Sequence, residues 1–337
     1  MVAPAAAAGR GAGVSTGGAP RVLVTGAGGY LGRQLVAALA AGRMPVGAIV
    51  ATDLRPTPPA EQLPAVTYAV VDVRDPALAE LLRTQRITVV VHLAAIVTPG
   101  PHSRREFEYS VDVLGTRNVL EACLAGGVRR IVVSSSGAAY GYHADNPAWI
   151  TEDCPLRGNE AFAYAHHKRL VEEMLARWRI EQPQLEQVVL RIGTILGDTV
   201  ANQITALFDK PRLIAIRGAA SPFVFVWDQD VVGAIAHAIG GGPAGVYNLA
   251  GDGALTLAEI AQRLRKRRVV LPAALLRAAL ALLAPLGLTR YGPEQVDFLR
   301  WRPVLDNTRL KTVFGYRPQL SSAEVFERYC SARGRGA

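Results

Sequence analysis

Cysteine is scarce in this chain: Cys123, Cys154 and Cys330 are far apart and show no CxxC spacing. That argues against a disulfide framework and a thiolate zinc site, so no metal is expected, and it points to a reducing, cytoplasmic setting. Long apolar runs are also lacking. The most apolar late stretch, Leu271 to Leu288, is broken by Pro272, Arg277, Pro285 and Gly287. It is unsuited to a membrane span and is expected to form a buried or substrate-facing helix. Acidic residues are in deficit, 28 against 37 basic ones, for a formal net charge of +9. Such a surface draws anionic ligands. The densest basic run, Arg263, Arg265, Lys266, Arg267 and Arg268, has no interleaved aromatics. It is expected to be a solvated helix face, and no nucleic-acid partner is expected. Residues 1–19 are rich in Ala and Gly and lack the aliphatic core of a signal peptide, so they are expected to be a disordered leader.

What is present is a rhythm. Short apolar runs at Arg21–Thr25, Gly47–Thr52, Val66–Val71, Thr88–His92, Arg130–Val133 and Gln187–Ile192 have the character of buried parallel strands. Helical patterns lie between them at Tyr30–Gly42, after Pro76, at Arg104–Ala125 and at Ala161–Ile180. A loop with Thr98, Pro99 and Gly100 follows the fourth strand. Alternation of this kind predicts an α/β fold, a Rossmann-type doubly wound parallel sheet with helices on both faces. Past Gly193 the segments shorten, as a smaller substrate-binding lobe would require. The expected division is a dinucleotide-binding domain over 20–193, with returning segments about 223–250, and a lobe made of 194–222 and 251–337.

Thr25-Gly26-Ala27-Gly28-Gly29-Tyr30-Leu31-Gly32 sits between the first strand and the first helix, where a glycine cluster acquires meaning. Gly26 permits the tight turn, Gly29 admits close approach of a pyrophosphate, and Gly32 lets the helix pack near the strand. The helix N-terminus then offers free N–H groups to phosphate. Asp53, at the end of the second strand, suits ribose hydroxyls and repels a 2′-phosphate, which favours NAD; nearby Arg55 keeps NADP as the alternative.

Tyr164 and Lys168 stand at i and i+4, on one helix face, with His166 and His167 turned aside and expected at the surface. A phenol, with an ordinary pKa of about 10, becomes a usable acid/base when an ammonium lies near it. The Ser134-Ser135-Ser136-Gly137-Ala138-Ala139-Tyr140-Gly141 run follows the fifth strand, at the sheet edge that binds ligands.

With these pieces the sequence resembles the extended short-chain dehydrogenase/reductase family, which includes the NAD-dependent epimerase/dehydratases. Asp72-Val73, His92-Leu93-Ala94-Ala95, Gly115-Thr116-Arg117-Asn118, Leu190-Arg191, Phe223–Val232 and Asn248–Gly251 also fit. The resemblance implies that Ser136 is the catalytic hydroxyl, Tyr164 the acid/base, and Lys168 the residue that holds the nicotinamide ribose and tunes the tyrosine. It implies cofactor contacts from Gly26, Gly28, Gly29, Tyr30, Leu31, Gly32, Asp53, Asp72, Val73, Leu93, Ala94, Ala95, Tyr164 and Lys168. Ser136 and Thr194 are the implied substrate contacts. It also implies that Phe223–Ile239 and Val246–Ala250 return to the cofactor domain, and that copies pair as a homodimer through the helices at Arg104–Ala125 and Ala161–Ile180.

Three positions depart from the family pattern. Asp112 stands where Asn is usual, Thr194 where sugar-nucleotide members often have Asn, and Ser221-Pro222 where they often have Arg. The leading expectation is therefore an NAD(P)-dependent oxidoreductase acting on a secondary alcohol or ketone of a small-molecule substrate. The alternatives are a sugar-nucleotide epimerase or dehydratase with tightly bound NAD, and a non-catalytic NAD-binding regulatory protein.

Overall fold

The computed structural model describes residues 18–97, 103–286, 288–289 and 292–334. The expected leader lies almost wholly outside them, and so does the loop at Thr98, Pro99 and Gly100. The first half of the chain alternates as its apolar runs require: β1 (Arg21–Thr25), α1 (Tyr30–Ala40), β2 (Ala48–Asp53), β3 (Val66–Val70), α2 (Ala77–Thr84) and β4 (Val89–His92). Then come α3 (Arg105–Tyr109), a π-helical turn (Ser110–Leu114) and α4 (Gly115–Ala125). The helix expected over 104–125 is thus interrupted by one wide turn, and that turn carries Asp112. β5 (Arg130–Ser136) takes all three serines into the strand, and α5 (Ala163–Glu181) and β6 (Glu186–Ile192) follow.

Later elements are β7 (Thr194–Leu196), α6 (Gln203–Asp209), β8 (Arg212–Ile216), β9 (Phe225–Trp227), α7 (Asp228–Ile239) and β10 (Gly245–Leu249). The chain ends with α8 (Leu257–Arg263), β11 (Arg267–Leu271), α9 (Ala273–Leu283), α10 (Gln295–Arg300) and α11 (Ser322–Ala332).

Seven strands form one parallel sheet in the order β10-β6-β5-β4-β1-β2-β3. Strand residues alternate between two cores, as a period of two dictates. Val22 and Val24 pack with Leu35 and Val36 of α1 and Val231 and Ile235 of α7. Leu23 packs on the other face with Leu82 of α2, Leu120 of α4 and Met174 of α5. Both faces of the sheet centre are covered, so β1, β4 and the first part of β5 are nearly continuous apolar runs. This is the Rossmann-like, doubly wound α/β architecture. Strand order reverses between β1 and β4, and the crevice at their carboxyl ends is where such sheets bind ligands.

In the late chain β10 joins the large sheet, α7 packs on α1, and Val226 of β9 enters the first core, although β9 is not a strand of that sheet. It pairs with β7, and its Phe225 stacks with Phe223 in a third core around Phe208 and Phe326. One expectation about the late chain needs correction: the basic run is not one helix face. Arg263 ends α8, Arg265 sits at a left-handed φ of 53°, and Arg267 and Arg268 open β11.

Candidate active site

The turn after β1 is built by exclusion. Gly26 has φ +67°, and a Cβ there would lie 2.8 Å from the backbone nitrogen of Ala94. A Cβ on Gly32 would collide with the Gly26 carbonyl and Ala27. Only hydrogen at these two positions lets α1, β1 and the Leu93–Ala94 backbone approach as they do. α1 begins without a side-chain cap and with no acidic residue in its first turn, so its leading N–H groups stay available to an anion. Across the turn, Asp53 Oδ2 accepts the Gly28 N–H at 2.9 Å. The Tyr30 side chain is engaged elsewhere: its hydroxyl donates to Asp228 Oδ2 at 2.6 Å. Leu31 packs against the first core. Asp72 is held by Arg74 at 2.6 Å, and that guanidinium keeps its carboxyl below the usual range. Val73 is buried and would be struck by any side chain at Gly115.

At the carboxyl end of β5, Ser136 Oγ accepts the Ala138 N–H at 3.1 Å and caps a short 3₁₀ turn. α5 packs across that turn. It brings Tyr164 and the buried Lys168 together, with Nζ 5.7 Å from the phenol ring centroid. Lys168 Nζ donates to the Ser134 carbonyl at 2.7 Å, so the ammonium is fixed to the strand that carries Ser136. The Tyr–Lys spacing, the serine run and the glycine turn thus converge on one edge of the sheet.

The partners of several groups at this edge have no local signal in the sequence. His167, expected at the surface, is buried, and its Nδ1 lies 3.0 Å from Asp112 Oδ2. Asp112 Oδ1 accepts the Ile96 N–H at 2.8 Å, so the pair ties α5 to the segment after β4.

His92 bridges Thr25 Oγ1 at 2.8 Å and Thr116 Oγ1 at 3.0 Å. Thr116 spends its only hydroxyl hydrogen on the Asp112 carbonyl, at 2.6 Å. It must therefore accept from His92, which assigns the hydrogen to Nε2 and leaves Nδ1 to accept from Thr25. Burial, then the Lys168 ammonium, push His92 down to about 3, so it is neutral.

Beyond Tyr164 stands an aromatic wall: Tyr142 lies 5.4 Å from Phe162 and 5.1 Å from Phe298, centroid to centroid. The Arg302 guanidinium sits over Phe298 at 4.0 Å and Phe223 at 4.1 Å. Arg302 keeps some exposed surface, but its Nε and Nη2 are shut off from solvent and have no hydrogen-bond partner among the described residues. Burial pushes this arginine down to about 10.

Thr194 is half-buried in β7, its N–H donated to the Val224 carbonyl. Ser221, at φ +48°, donates its hydroxyl to the Leu299 carbonyl at 2.5 Å. The departure at 221 therefore serves chain packing.

A family model described as the NAD dependent epimerase/dehydratase family matches residues 22–250. A UDP-glucose 4-epimerase of Mycolicibacterium smegmatis is 32% identical over 321 residues, covering 90% of this chain and 95% of that protein. An uncharacterized protein of Mycobacterium tuberculosis is 27% identical over 316 residues, covering 93% of this chain and 84% of its own length. Among solved structures, the enzyme WbmG of Bordetella bronchiseptica, in complex with NAD and UDP, superposes with a TM-score of 0.71. It is 19% identical, and 96% of each chain is covered; at that identity the likeness is one of fold.

Proposed function

Since this chain belongs to the NAD dependent epimerase/dehydratase family, we propose that it moves hydride at a secondary carbinol carbon of a nucleotide-linked sugar, with Tyr164 as acid/base. The observation that carries this reading is the Tyr164–Lys168 pair, 5.7 Å apart and anchored to the strand that presents Ser136. Tyr164 takes the hydroxyl proton as the carbinol C–H bond breaks and gives it back when a carbonyl is reduced. Lys168 supplies the neighbouring positive charge, and Ser136 steadies the substrate oxygen. The glycine cradle fits a dinucleotide pyrophosphate: it excludes side chains and faces an uncapped helix start. Bound NAD would supply the hydride acceptor and donor.

The nucleotide-linked sugar is favoured by the epimerase relative and by Arg302. A guanidinium with two solvent-shielded, unpaired nitrogens is costly unless an anion meets it. A diphosphate would do so.

The reaction is tested by incubating the purified protein with UDP-glucose or dTDP-glucose and NAD. The expected result is an isomerised or dehydrated product with no net reduced nicotinamide. Stoichiometric accumulation of reduced nicotinamide without isomer overturns that outcome and assigns net oxidation of the supplied sugar alcohol, whereas no change in either sugar nucleotide favours a different alcohol as the substrate, the reading that Thr194 supports.

Asp53 sets the cofactor preference in this proposal. Hydrogen bonds to a charged group contribute about 1.5–3 kcal/mol. Asp53→Ala is therefore expected to raise KM for NAD about ten- to a hundred-fold and to narrow the gap to NADP. A clear NADP preference of the unaltered protein, measured by the two KM values, refutes this role. We also propose a homodimer; exposed Phe107, Leu114 and Ile180 on the helices expected to pair are the surface it would cover.

A further inference from the structure

α9 departs from an ordinary surface helix in being apolar on nearly every side, with Arg277 its one polar residue. A helix on a globular protein turns its apolar stripe inward and its polar face to water. None of the residues of α9 is buried. Its exposed positions are Ala274, Leu275, Arg277, Ala278, Ala281 and Leu282, an apolar face with one cation in it, and Pro285 and Leu286 continue that face into the next turn. Leu275, Leu282 and Leu286 are 57%, 69% and 64% exposed, with Leu288 beyond them at 70%. Of the two expectations for this stretch, a buried or a substrate-facing helix, the buried one is corrected. An apolar stripe of this length left in water marks a surface that meets something.

The flanks of the stripe say what. β11, which runs into α9 through Pro272, is paired on one side by β8 and carries exposed Arg267, Arg268 and Val270. The Arg217 N–H donates to the Leu271 carbonyl at 2.9 Å, which sets this exposed arginine beside the start of α9. Arg263 and Arg277 have acidic partners, Glu327 and Asp297. Arg212, Arg217, Arg267 and Arg268 have no ion-pair partner among the described residues. Between Glu259 and Glu294 the sequence holds seven basic residues and no acidic one.

We propose that α9 and the basic edge strand β11 dock this protein on an anionic lipid bilayer surface. The leucine stripe lies at the boundary between headgroups and acyl chains, and the arginines engage the anionic headgroups. No helix among the described residues is long and apolar enough to cross a membrane, so the attachment is in the plane of the surface. A nucleic acid would use the arginines but leave the leucines in water.

The test is co-sedimentation of the full chain with phosphatidylcholine vesicles, with and without phosphatidylglycerol. Pelleting is expected only with the anionic vesicles, and it should weaken as salt rises. Leu282→Asp combined with Leu286→Asp, and separately Arg267→Glu combined with Arg268→Glu, should each reduce vesicle affinity at least about tenfold. Both pairs are exposed, so circular dichroism and turnover in solution should be unchanged. No pelleting with anionic vesicles, or pelleting that both variants leave intact, overturns the proposal. So does loss of a dimer in the leucine variant without any vesicle binding, which would assign the face to a second copy. Binding of a DNA duplex that only the arginine variant abolishes, again without vesicle binding, overturns it as well.

Discussion

Tyr164→Phe is expected to lower turnover by about 10²- to 10⁴-fold, the range a positioned general acid/base contributes. The substitution removes one hydroxyl and keeps the ring, so the Lys168 contact at 5.7 Å and the packing of α5 should survive. Binding of NAD, followed by quenching of intrinsic fluorescence, should change little, because the glycine cradle and Asp53 are on other elements. The signature is a fall in kcat with little change in cofactor affinity, since the proton moves only in the chemical step. Unchanged turnover on the true substrate would remove Tyr164 from the mechanism and point to another group as the acid/base.

The largest stability effect is expected at Arg191. Its guanidinium meets Glu172 through Nε at 2.8 Å and Nη2 at 2.7 Å, while Nη1 donates to the Tyr140 hydroxyl at 2.7 Å. The two side chains are 7% and 3% exposed. Tyr140 in turn donates to Asn248 Oδ1 at 2.8 Å, and Ser135 donates to Glu172. This network joins β5, β6 and β10 to α5, the helix that carries the Tyr–Lys pair. Arg191→Met leaves the Glu172 carboxylate buried without its cation, which costs about 3–5 kcal/mol. A urea midpoint should fall accordingly. The double variant Arg191→Met, Glu172→Leu removes both charges and should recover a large part of the loss. A single variant within about 0.5 kcal/mol of the parent would show that the pair does not carry the joint.

Much of this protein was legible along the chain. The strand at Arg21–Thr25, the glycine turn and the helix that begins at Tyr30 are signalled by contiguous residues, because each depends on hydrogen bonds and backbone angles only a few positions apart. The Tyr164–Lys168 face followed from helical period, and the doubly wound sheet from alternation of apolar runs. Even the tight fit at Gly26 and Gly32 could be anticipated from their place between strand and helix.

Other features were settled by distant parts of the chain. Asp112 and His167 are 55 residues apart and meet only because α5 crosses the π-helical turn. His167 therefore looked like a surface residue from its own helix. The pairing of β9 with β7 joins segments about thirty residues apart, and an apolar run does not name the strand it pairs with. The leucines of α9 carried the composition of a core helix, yet composition records only that apolar area exists. Whether a neighbour covers it is decided by where the rest of the chain packs, and here that packing leaves the stripe in water. Local chemistry thus determined the fold class and the sharing of one helix face by Tyr164 and Lys168, whereas burial and long-range partners, which are sums over many distant contacts, were decided by the tertiary structure alone.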